Sequence, residues 1–172
     1  LLDPAELPCD VAALPERVAV ITGRRADLAR GVEAAWSQAW RAIFHAHVHH
    51  AFDVLNAGDK LGPAAIRQRI NAIGQTEFDE ARLVLRQEEL LLPPGDDPGA
   101  YVEFVALYLE LRHFAPRALA QTFPILHGVN QVDATIALDV DAAALLAAAR
   151  PAPAPATPQA EADLDGASKS QA

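Results

Sequence analysis

The chain has 172 residues, 51% of them apolar and 22% charged, which suits one globular domain with a buried core and a tail. Acids outnumber bases by 23 to 14, for a formal net charge of −9. That balance argues against a nucleic-acid binder, which needs a basic face to displace phosphate counterions, and against adsorption to an anionic membrane.

The lone cysteine, Cys9, excludes an intrachain disulfide and any cluster held by several thiolates. It fits a reducing, cytoplasmic setting. No apolar run approaches the ~20 residues that span a bilayer. The N-terminal segment lacks the basic-then-apolar pattern of a signal peptide. The sequence starts at Leu1 and contains no methionine, from which we expect a processed chain, a partial gene product or a piece of a longer protein.

Residues 1–11 read as a loop, with Pro4 and Pro8 close together. Pro15 suits the first position of a short helix, although Val18-Ala19-Val20-Ile21-Thr22 would also suit a strand. No second strand is there to pair with it, so helix is preferred. A long helix is predicted from Arg25 to Leu55, with Leu28, Val32, Trp36, Ile43 and Val54 at helical spacing and Trp40 and Phe44 widening the stripe. Gly31 weakens it without ending it, and Gly58 is the stop. Pro63 opens the next helix and Gly74 closes it. Thr76 reads as the N-cap of a helix running to Leu91, where Pro93-Pro94 blocks continuation.

Asp97, just before Pro98, reads as the N-cap of a helix to His113. That helix is apolar around most of its circumference and should be the centre of the fold. Its apolar surface exceeds what one small core easily covers, leaving a patch for a partner. Pro116 interrupts it, and Pro124 ends a short turn of helix beyond. A short helix follows over Gln131–Leu138, and Asp139 or Asp141 caps a last one, Ala142–Arg150. From Pro151 the Pro-Ala repeats and small polar residues predict a disordered linker and tail, so the helical domain is placed at 1–150 and the tail at 151–172. The fold class is all-α, an irregular bundle of five to seven helices.

Four histidines, His45, His47, His49 and His50, fall within six residues of one helix. His45 and His49 are i,i+4 neighbours and Asp53 continues their row, a spacing that can offer two imidazoles and a carboxylate to one divalent metal. The glutamate that follows the first histidine in a zinc-protease helix is absent, since Ala46 stands there. His47 falls in the apolar stripe and reads as a core histidine bonded to backbone or carboxylate. On the central helix, Glu110 and His113 match the Glu-x-x-His pattern of helical di-iron sites, with Glu103 two turns upstream. The chain has one such pair where those sites need two. Glu103, Ala106, Glu110 and His113 form a polar strip that reads as solvent-facing. Glu77, Asp79 and Glu80 read as an acidic helix start.

Phosphate loops, dinucleotide turns and nucleophile elbows are missing from the sequence. The serines, Ser37, Ser168 and Ser170, give no hydrolase constellation. The first expectation is therefore a non-catalytic interaction or scaffold module, needing no cofactor and working through a protein partner or a second copy of itself. The alternative is a metal-binding protein or metal-dependent enzyme that holds zinc or iron with His45, His49 and Asp53, completed by Glu110 and His113. A third reading is a pH-responsive module in which protonation of the histidine run alters packing near Trp36 and Trp40.

Overall fold

The computed structural model describes residues 25–158 apart from Leu92. The readings for the N-terminal loop, Cys9, the helix at Pro15 and the tail beyond 158 lie outside the described residues. Within them the chain is all-helical: α1 (Arg25–Ala29), α2 (Glu33–Ala57), α3 (Pro63–Ile73), α4 (Gln75–Gln87), α5 (Asp97–Phe114), α6 (Pro116–Thr122), α7 (Val129–Ile136) and α8 (Ala142–Ala148).

Eight helices exceed the predicted five to seven, in part because the long helix is broken near its start. Gly31 takes a φ of 72°. The Gly31 amide donates to the Leu28 carbonyl and the Val32 amide to the Asp27 carbonyl, both at 3.0 Å, which closes α1 as a Schellman motif. The glycine therefore ends the helix, as only a residue without a Cβ does at little cost. The next stop falls at Gly58 as predicted, though not through a left-handed glycine. Gly58 has a φ of −90°, and the left-handed position is taken by Asp59 at 56°. Glu89 plays the same part after α4, with a φ of 58°, so that helix ends at Gln87 rather than Leu91.

Gly74 closes α3 as predicted and at the same time stands before α4, with a φ of 115°. With no residue to spare between the two helices, Thr76 falls inside the first turn instead of capping it. At α5 the cap is Asp96, whose side chain accepts from the Gly99 amide at 3.0 Å. Asp97 is the first helical residue and pairs with Arg82. Asp141 caps α8 by accepting from the Ala144 amide at 3.0 Å.

Helix α5 is the centre of the fold. It buries Ala100, Tyr101, Phe104, Val105, Ala106, Tyr108, Leu109, Leu111 and Phe114. The neighbours α2, α3, α4 and α6 pack around it, with α7 against α3 and α8 against α2. No apolar residue of α5 is exposed, so the uncovered face expected of this helix is not there. Trp40 and Phe44 meet Phe114 at ring-centroid distances of 5.4 and 5.9 Å, as the stripe on α2 predicts, while Trp36 is only half-buried. Phe104 gathers Phe78, Tyr108 and Phe123 within 5.8 Å.

Two carboxylates fasten the far side of α5. Asp139, 3% exposed, accepts from Arg69 at 2.9 Å and from the Tyr101 hydroxyl at 2.7 Å. Asp133 accepts from the Tyr108 hydroxyl at 2.8 Å and from Arg112 at 3.2 Å. Burial, and then these carboxylates, push both phenols well above their ordinary range.

The first residues of the Pro-Ala segment, to 158, are among those described. Ala154 is buried in the core. Arg150 donates to the Ala154 and Pro155 carbonyls at 2.7 and 2.8 Å, holding the start of the Pro-Ala segment against the domain. No helix among the described residues is long and apolar enough to cross a membrane.

Candidate metal site on the seam between two helices

Helices α2 and α5 run antiparallel, so residues climbing one meet residues descending the other. On α2 the facing row is Arg41, His45 and His49. On α5 it is Glu110 and Glu103. The chain thus sets three nitrogen-bearing side chains opposite two carboxylates across one seam.

The contacts form a continuous network. Arg41 Nε donates to Glu110 Oε1 at 2.6 Å. The other oxygen of Glu110 lies 2.7 Å from His45 Nδ1. That bond places the Nδ1 proton toward Glu110 and directs Nε2 into the cluster. His45 Nε2 lies 3.0 Å from His49 Nε2. Glu103 straddles the pair, with Oε1 at 3.6 Å from His45 Nε2 and Oε2 at 3.3 Å from His49 Nε2. The carboxylates are 15% and 13% exposed for Glu103 and Glu110.

The polar strip on α5 therefore does not face solvent. Its charges are taken up by the basic row of α2, Ala106 is fully buried, and His113 is half-buried with its ring edge-on to Phe44 at 5.5 Å.

Burial alone would lower the His45 pKa, but the two flanking carboxylates outweigh it and raise it to about 9. Burial would likewise raise Glu103, yet the imidazoles of His45 and His49 beside it bring it down to about 2. Glu110 is opposed by burial too and is held below the usual carboxylate range by His45 and Arg41. In the metal-free chain His45 is accordingly a cation at neutral pH, donating from both nitrogens.

Among the described residues, the group of His, Cys, Asp or Glu side chains able to hold one ion is His45, His49 and Glu103, whose ligand atoms lie within 4.8 Å of one another. The three measured separations are 3.0, 3.3 and 3.6 Å. Donors at zinc–ligand bond lengths on a tetrahedron would be about 3.3–3.4 Å apart, so an ion fits with small side-chain adjustments.

Of the residues singled out from sequence, His45 and His49 are in this group. Glu110 stands behind His45 on its other nitrogen. Asp53 is exposed and lies outside the group. His113 is outside it as well. It lines a separate groove of about 630 Å³ with Arg112, Asp133 and Asp141, where burial and then the Arg112 charge lower its pKa. His47 is half-buried, with Nδ1 2.8 Å from the Ile43 carbonyl. Two members were missed by sequence reasoning, Glu103 as a ligand and Arg41 as its neighbour's anchor. The Arg41-x3-His45-x3-His49 row, complementary in charge to Glu103-x6-Glu110, is the signal that could have found them.

Comparison of the chain with protein-family models, with curated proteins and with solved structures gives no match.

Proposed function

We propose that this chain is a helical metal-binding protein with a mononuclear divalent site made by His45 Nε2, His49 Nε2 and the Glu103 carboxylate. The observation that carries the reading is the convergence of these three ligand atoms from two helices within 4.8 Å. The surroundings support it. A metal-bound histidine generally donates its second ring N–H to a carboxylate, which fixes the tautomer and raises ligand basicity, and Glu110 stands in that place behind His45. Arg41 in turn holds Glu110.

Two imidazoles and one carboxylate suit zinc, and equally ferrous iron in the facial arrangement. Three protein donors leave a coordination position open, as in sites that bind a further ligand. Glu110 is committed to Arg41 and His45, so it orients its neighbour rather than serving as a general base. The reading is therefore metal binding. Binding must displace the His45 Nε2 proton, so affinity rises with pH.

Elemental mass spectrometry of the untagged chain tests this. Near-stoichiometric zinc or iron should be present in the parent and lost from His49→Ala and from Glu103→Ala, with helical circular dichroism retained. A metal-free parent that also fails to take up zinc on addition would overturn it.

A further inference from the structure

A hollow of about 290 Å³ opens beside the candidate metal site. His49 and Glu103, two of the three donors, form part of its lining. The rest is mainly apolar, from Leu91, Pro98 and Val102, with the Asn56 amide as a further polar group and Leu90 at 38% exposure beside them. We infer that this hollow takes a short-chain aliphatic carboxylate, its head on the metal and its chain along Leu91, Pro98 and Val102; the inference rests on the metal reading above.

Three features select that class. A divalent ion held by two neutral imidazoles and one carboxylate keeps a net positive charge, so its open position favours an anionic oxygen donor over a neutral one. The walls next to the donors are hydrocarbon, which rewards an aliphatic chain and penalises a second charge. The volume lies at the lower edge of the range for organic-ligand pockets, which restricts the chain to a few carbons.

The test uses the full chain loaded with cobalt(II), whose visible absorption reports its coordination. Formate, acetate, butyrate and hexanoate are titrated in turn. Each should perturb the cobalt bands, and the dissociation constant should fall by about fourfold for every methylene buried, up to the length the hollow holds. In Val102→Ser, and in the more exposed Leu90→Ser in case the first variant folds poorly, the gain of hexanoate over acetate should shrink several-fold. Cobalt affinity and the affinity for formate, which has no chain, should stay unchanged. Equal affinities along the series, or bound cobalt that no acid perturbs, would overturn the inference while leaving the metal site standing. Failure to bind cobalt at all would remove both.

Discussion

Raising the pH should weaken the metal-free chain through a single residue, His45. Its pKa lies near 9 in the folded chain against 6.5 for an unperturbed histidine. The folded state therefore holds the proton more tightly than the unfolded state. The resulting stabilisation is fully present below pH 6.5 and is lost as the pH climbs through the folded value. Some 2.5 pH units at 1.36 kcal/mol each set the loss at about 3 kcal/mol, a substantial part of the 5–15 kcal/mol typical of a whole domain. Glu103 shows the same ion pair from the other side. Lowered from 4.5 to about 2, it contributes stability present above pH 4.5 and lost as the pH falls toward 2. The two windows describe one interaction and are not added. Urea unfolding in the presence of a chelator, at about pH 5.5 and about pH 9.5, measures the effect. The parent should lose about 3 kcal/mol between the two, and His45→Gln should lose far less. Equal losses in parent and variant would refute the reasoning, because the pH dependence would then arise elsewhere.

Other perturbations read separate parts of the structure. Glu110→Gln removes the charge behind His45 and should weaken zinc binding by about 10–100-fold in a chelator competition, with the unfolding curve of the loaded protein still cooperative. Asp139→Ala leaves the Arg69 cation and the Tyr101 hydroxyl without their shared acceptor, and should cost about 3–5 kcal/mol in urea unfolding; a loss under about 1 kcal/mol would show that solvent satisfies both groups. Glu89 sits at a positive φ with a Cβ, so Glu89→Gly should stabilise the chain by up to about 1 kcal/mol. Gly31→Ala, at a φ of 72° with nothing near the added methyl, should cost about 1 kcal/mol by backbone strain alone.

The helical boundaries were most legible where a residue acts on its own backbone. Pro63, Gly74, Pro116 and Asp141 stop or start helices through their local geometry, and the structure places the ends there. Legibility failed where neighbours compete. Gly58 and Asp59 both suit a helix end, and which one turns left-handed depends on the hydrogen bonds that close around it. Gly31 was tolerable in a helix by propensity, but its φ lets the Val32 amide reach back to Asp27.

The site shows a similar divide. His45 and His49 were visible because four residues bring a helix round to nearly the same face. Each such step also drifts by about 40°, so Asp53 is turned about 80° from His45 and away from the seam. On α5, seven residues return Glu110 to within about 20° of Glu103, whereas His113 is rotated about 60° from Glu110. The sequence spacing thus ranks Glu103 with Glu110 and sets His113 apart. What it does not contain is the antiparallel pairing of α2 with α5, which depends on the whole core and turns an apparently solvated strip into a buried set of charges.

The central claim is that one ion sits between His45, His49 and Glu103. Anomalous diffraction from crystals grown with zinc, with data collected on both sides of the absorption edge, addresses it most directly. A single strong peak about 2.0–2.2 Å from His45 Nε2, His49 Nε2 and a Glu103 oxygen, with Glu110 still bonded to His45 Nδ1, is the predicted result. Crystals with zinc in the medium that show no peak on this seam, and His45 Nε2 still within hydrogen-bond distance of His49, would contradict it and leave the cluster as a protonated ion-pair network that fastens α2 to α5.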